Sequence, residues 1–135
     1  MRSSLMNQQV TLVEKLELTA LRDEFNRVVS AAITRLEREG IHALRSVRFF
    51  AEPGTTQIGA ILTFSDAARM MEHVQMISTW PEFAAILHVL RPLEVRAFGP
   101  LNDDVRAWLS SMKVDISSYP EQVAGFSRDS SGESE

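Results

Sequence analysis

The chain contains no cysteine among its 135 residues. That removes disulfides, thiolate nucleophiles and Cys-ligated zinc or iron–sulfur centres, and it fits a reducing compartment. Positive charge is in deficit: 14 Lys and Arg stand against 18 Asp and Glu, a net charge of -4. Bulk charge therefore does not suggest a nucleic-acid partner, whose phosphates must be met by Lys and Arg. Apolar runs long enough to cross a bilayer are missing, so no membrane partner is expected. The opening residues, MRSSLMNQQ, carry one Arg and no apolar run, unlike a secretory signal, and a cytoplasmic location is the expectation. The three histidines, His42, His73 and His88, share no ligand-type spacing such as i, i+4, so no metal site is expected. There is no internal repeat.

What remains is the make-up of one ordinary globular domain, 44% hydrophobic and 24% charged. The length suffices to bury a core without metals or disulfides.

From Gln9 to Leu18 the pattern alternates. Val10, Leu12, Leu16 and Leu18 share one face of a strand; Thr11, Val13, Lys15 and Glu17 share the other. Glu14 breaks the pattern by sitting on the apolar face. Thr19 reads as an N-cap. Leu21, Phe25, Val28, Val29, Ala32, Ile33 and Leu36 then recur at helical spacing, and Gly40 is expected to end the helix in a left-handed conformation. A second strand, His42 to Ala51, and a third, Thr56 to Phe64, flank Glu52-Pro53-Gly54-Thr55, which suits a type II turn. Ser65 or Asp66 caps a helix with Met70, Met71, Val74 and Ile77 on its apolar side. Thr79 and Glu82 have the spacing of a capping box with Pro81 in the first turn, so this helix breaks near Ser78 and restarts to about Leu90. Pro92 prevents its continuation, and Leu93 to Phe98 form the fourth strand.

The order βαββαβ predicts a ferredoxin-like α+β fold: a four-stranded antiparallel sheet with strands one and three central and two helices on one face. This domain spans residues 9–99. Residues 100–126 form a helical extension with Val105, Trp108 and Leu109 in a short helix, followed by Tyr119, Val123 and Phe126 as docking side chains. Residues 127–135 have the composition of a disordered tail. The helix-free sheet face would expose Val13, Ile61 and Phe98 among Lys15, Glu17, Gln57, Glu94 and Arg96, which predicts a homodimer through that face.

The segment FSDAARMMEHVQMISTWPEFAAILHVLRPLEVRAFGP resembles the second half of the antibiotic-biosynthesis-monooxygenase-like superfamily, the dimeric α+β barrels. Phe64, Asp66, His73, Pro81, Phe83 and Val95 occupy the matching places. The resemblance implies the fold and the dimer more than an activity. The family's activities include cofactor-independent oxygenation of polycyclic aromatics and haem degradation. The haem-degrading pattern fails here, because its ligating His would fall at Leu87, with His88 one step and about 100° around the helix. No cofactor is expected.

Glu14 is the sharpest candidate. A carboxylate on an apolar strand face should have a raised pKa and can serve as a general base. A bulge that turns it outward, or pairing with an Arg or Tyr, are the alternatives. His73 and His88 have acid–base chemistry available, against ordinary surface or half-buried roles. Catalysis is thus assigned to Glu14 and His73, and ligand contact to Arg96, Trp80, Phe83 and His88. Trp80 and Phe83 equally suit plugging the core. Arg45, Arg48, Lys15 and Arg96 would line an anionic pocket or pair with Glu17 and Glu94.

The function these readings imply is that of a small-molecule-binding homodimer, an oxygenase on an aromatic ligand that needs no cofactor. The alternative is a non-enzymatic binding or regulatory module of the same fold. An RNA-recognition domain shares βαββαβ, but the open face of the third strand carries Gln57, Gly59, Ile61 and Thr63 and no aromatic to stack a base.

Overall fold

The computed structural model describes residues 8–128. Of the disordered tail expected over residues 127–135, the part after Arg128 lies outside the described residues. The elements are β1 (Val10–Leu18), α1 (Arg22–Glu39), β2 (Leu44–Ala51), β3 (Gln57–Phe64), α2 (Ala67–Ile77), α3 (Pro81–Val89), β4 (Leu90–Phe98), α4 (Asp103–Ser111) and β5 (Asp115–Tyr119).

The expected four antiparallel strands are in place, with β1 and β3 central, but the sheet is larger than the sequence indicated. Its order is β2-β3-β1-β4-β5, and β5 runs parallel to β4, pairing Phe98 with Tyr119. The sheet is therefore five-stranded and mixed, and four helices accompany it. Its apolar side carries two packed clusters. Val10, Leu12, Phe64, Val95 and Ala97 meet Ala67 and Met70 of α2 and Val105 and Leu109 of α4. Leu16, Leu18, Ile58 and Ala60 meet Phe25 of α1 and Val89 at the end of α3. All four helices thus lie on one face, as two pairs.

Several local expectations need correction. Thr19 does not cap α1. Leu21 occupies the cap position without a side-chain bond, and Thr19 Oγ1 instead donates to the His88 carbonyl at 3.2 Å, tying the exit of β1 to the end of α3. Gly40 is extended, at φ -75° and ψ 166°. Glycine is required there for space: a Cβ would lie 2.4 Å from the Leu36 carbonyl oxygen, the oxygen that accepts the Gly40 N–H. The capping box does not form either. Trp80 is the N-cap of α3 with Pro81 at the first helical position. Thr79 Oγ1 donates back to Met76, and Glu82 turns to Arg35, a cation from another helix that sequence spacing cannot reveal.

Strand β4 starts at Leu90, before Pro92, and not at Leu93. A proline inside a strand needs a place where its missing N–H costs nothing, usually a bulge. The β1–β4 register supplies one: Lys15 faces Glu94, whereas Leu16 faces Pro92, so Leu93 is the extra residue. The expected breaks elsewhere are observed. Asp66 accepts from the Arg69 N–H at 2.7 Å to cap α2. Gly54, at φ 80°, follows Pro53 in a turn closed by the Thr55 N–H on the Glu52 carbonyl.

Candidate functional site

Glu14 sits opposite Ala60 on one side and Val95 on the other, both fully buried. It therefore points to the helix side of the sheet, between the two core clusters. The bulge lies one step later in the strand and does not turn it outward. No hydrogen bond or ion pair among the described residues reaches its carboxylate, so the Arg or Tyr pairing does not form. The side chain keeps some solvent contact, yet the surrounding protein strips enough water from it that burial pushes its pKa from 4.5 to about 7. An unpaired carboxyl cannot be packed over cheaply, which accounts for a core divided at this position.

Leu62 shows the same division. It belongs to the central strand and touches both clusters, but it is only half-buried. Leu62 pairs with Leu12 and with Val47 of the edge strand, so it is the diagonal neighbour of Glu14 on this face. Beyond Val47, between the C-terminal half of α1 and β2, a cleft of about 540 Å³ opens. Ile33, Leu36, Ile41, Leu44 and Val47 supply its apolar wall, with Glu37, His42 and Arg45 also lining it. All five aliphatic residues are half-buried, because this end of α1 stands away from the edge strand.

His73 is buried, at 3% exposure, and is neither a surface nor a half-exposed histidine. Its ring lies 5.1 Å from that of Phe64, tilted by 58°, and its Nδ1 has no hydrogen-bond partner. Desolvation lowers its pKa from 6.5 to about 4, so it is neutral at physiological pH. Phe64 pairs with Val10, four residues and about 13 Å along β1 from Glu14. Both candidates occupy the helix side, but the register sets them in different halves of the core.

The assigned ligand contacts divide between sites. Trp80 is buried, and the Arg35 guanidinium lies over its ring, 4.1 Å from the centroid. Arg35 also donates to Glu82 at 2.8 Å and to Glu39 at 3.1 Å, joining α1 to the start of α3. These contacts raise the Arg35 pKa and lower those of Glu39 and Glu82. Phe83 is half-buried on α3 and His88 is exposed at its end. Arg96 is opposite Val13 and paired with Glu94. It occupies the sheet face turned away from the helices, opposite to the face of the Glu14 side chain. The cross-strand pair there is Arg91 with Glu17. The open face also exposes Phe50, Phe98 and Tyr119, the last two stacked at 5.1 Å. Val123 and Phe126 are exposed and do not dock. Among the described residues there is no group of three or more metal-ligating side chains, and no helix is long and apolar enough to cross a membrane.

No protein-family model matches the chain, and no curated protein matches it in sequence. Solved structures do match its fold. MupZ from Pseudomonas fluorescens aligns over 92% of this chain and 98% of that one, with a TM-score of 0.70 and 20% identity. SnoaB from Streptomyces nogalater, a cofactor-independent oxygenase, aligns over 70% of this chain and 95% of that one, with a TM-score of 0.58 and 14% identity. A Chloroflexus aurantiacus protein described as an antibiotic biosynthesis monooxygenase gives the same coverage, with a TM-score of 0.53 and 12% identity. The chain thus shares the α+β fold of these solved structures.

Proposed function

We propose that the protein is a small-molecule-binding homodimer that acts as an oxygenase without an added cofactor, holding an aromatic substrate between the sheet and the helices. The observation that carries this reading is Glu14: a carboxyl without a protein partner on the helix side of a central strand, with its pKa near neutrality. Such a group takes a proton from an acidic C–H or O–H of a bound hydroxylated aromatic. The resulting anion gives one electron to dioxygen, and the radical and superoxide combine to a hydroperoxide. Loss of water, with the proton returned by Glu14, leaves a carbonyl at the attacked carbon. One substrate CH₂ and one O₂ become one C=O and one H₂O, so no external reductant is consumed. SnoaB, named as a cofactor-independent oxygenase, shares the fold and favours this class of chemistry.

The open face supports the dimer. Phe50, Ile61, Val13 and Phe98 come from four adjacent strands and are each more than a third exposed. A second sheet laid against the first would cover them, and Lys15, Arg48 and Arg96 would meet Glu17 and Glu94 at its borders. Light scattering should give twice the 15.2 kDa chain mass, reduced to one chain by Ile61→Lys.

The activity is tested by oxygen uptake over a panel of hydroxylated polycyclic aromatics, in metal- and flavin-free buffer. Uptake should match product formation one to one and fall about 10² to 10⁴-fold in Glu14→Gln. No uptake across the panel, or uptake undiminished in the variant, would overturn the assignment. Binding without oxygen consumption would identify a non-enzymatic binding module.

A further inference from the structure

The cleft between α1 and β2 has an apolar wall and a charged rim, and its size is that of a small-molecule site. The rim carries one guanidinium, Arg45, one carboxylate, Glu37, and the imidazole of His42. Arg45 is the residue at which the β2–β3 register slips, between Leu44 and Ser46, so it falls out of the regular alternation. It is exposed and lines the cleft. His42 lines the same cleft, and Glu37 is the one carboxylate there. None of the three side chains has an ion pair or hydrogen bond to another described residue. A guanidinium held at the edge of an apolar cleft without a protein partner is a ready bidentate donor to a carboxylate or sulfonate. His42 offers a second N–H to the same anion.

Val47 of the cleft and Glu14 lie on the same face of the sheet. Val47 in its wall faces Leu62 across β2 and β3, and Leu62 adjoins Glu14 on β1. Two strand spacings and a two-residue offset separate Val47 from Glu14, about 12 Å, and Arg45 lies two residues farther along β2. We propose that the ligand is an amphipathic organic acid. Its anionic group is held by Arg45 and His42, its apolar body lies along Leu36, Val47 and Leu62, and its far end points toward Glu14. This rests on the preceding reading for the role of Glu14, and it adds the substrate class: an acid with an extended apolar body between its charge and its reactive position.

Two fluorescent probes of similar shape separate charge from apolarity: 8-anilinonaphthalene-1-sulfonate, an anion, and N-phenyl-1-naphthylamine, its neutral counterpart. Each is titrated into the whole chain, into Arg45→Gln and into Leu36→Arg. Arg45→Gln should weaken the sulfonate about tenfold and leave the neutral amine within twofold. Leu36→Arg places a guanidinium inside the apolar wall and should weaken the neutral amine at least tenfold. Circular dichroism confirms that each variant is folded. Should Leu36→Arg be unfolded, Val47→Gln takes its place and should weaken the neutral amine by at least threefold. Equal loss of both probes in Arg45→Gln, or no loss of the neutral probe in the wall variant, overturns the proposal. These titrations involve no turnover. Arg45-dependent binding without oxygen uptake would sink only the oxygenase reading, and uptake with Arg45-independent binding would sink only the acid site.

Discussion

Glu14→Gln should stabilise the protein at pH 8 and change it little at pH 4.5. The folded chain raises the Glu14 pKa from 4.5 to about 7, so it prefers the neutral carboxyl. That contribution is fully present below pH 4.5 and is lost as pH rises through 7. The difference between the two pKa values is worth about 3 kcal/mol, and glutamine, always neutral, recovers it at high pH. His73 acts with the opposite sign. Its pKa falls from 6.5 to about 4 on folding, so its contribution is intact above pH 6.5 and declines by about 3 kcal/mol as the pH drops to 4. Between pH 4.5 and 6.5 the two slopes, each about 1.4 kcal/mol per pH unit, oppose and nearly cancel. The two groups together should thus leave little pH dependence across that window. Glu14→Gln removes one arm, and the His73 loss should then emerge as a steady decline below pH 6.5. Urea unfolding of both proteins, at half-unit steps from pH 4.5 to 8, measures the difference curve directly. A difference independent of pH, or a variant less stable than the parent at pH 8, would refute the account of Glu14 as an ionisable group held against its charge.

Gly40→Ala should destabilise the chain by more than the usual surface change, because its methyl would lie 2.4 Å from the Leu36 carbonyl oxygen; thermal unfolding shows this, and an unchanged midpoint would mean that the α1 exit gives way easily. Asn102→Ala removes the side chain that accepts the Val105 N–H at 2.8 Å and should cost about 1 kcal/mol, read by urea unfolding. Met70→Ala, at a fully buried position between α2 and the sheet, should cost about 2 to 5 kcal/mol by the same assay.

The parts of the fold that were legible in the sequence are those set by period and by chain punctuation. Alternation in β1 and helical spacing in α1 place Leu12, Leu16 and Phe25 in the core, where they are found. Asp66 caps a helix where local chemistry says it should. The misses share a cause, which is a partner distant in sequence. Glu82 has the spacing of a capping residue but is taken by Arg35. Pro92 looks like the end of anything regular, yet β1 accommodates it by slipping register. The strand Asp115–Tyr119 reads DISSY, too short and too polar to announce itself. Its existence depends on the free edge of β4 and on Phe98 for Tyr119 to stack against.

The site divides along the same line. Glu14 was visible because a single charged residue on an apolar face contradicts its own strand, and its chemistry follows from that contradiction once Ala60 and Val95 close in on either side. His73 was visible only as a residue type: a histidine at a helical position says nothing of burial until Phe64 is placed against it. The cleft was invisible for a further reason. Ile33 and Leu36 lie on the same apolar stripe as Phe25 and Ala32, and the pattern predicts that all four are equally covered. Phe25 and Ala32 are buried, but Ile33 and Leu36 remain half-exposed, because α1 continues past the region that β2 can cover. A hydrophobic stripe specifies which side of a helix faces inward. It does not specify how far the opposing sheet extends, and in this chain the difference between the two is the space offered to a ligand.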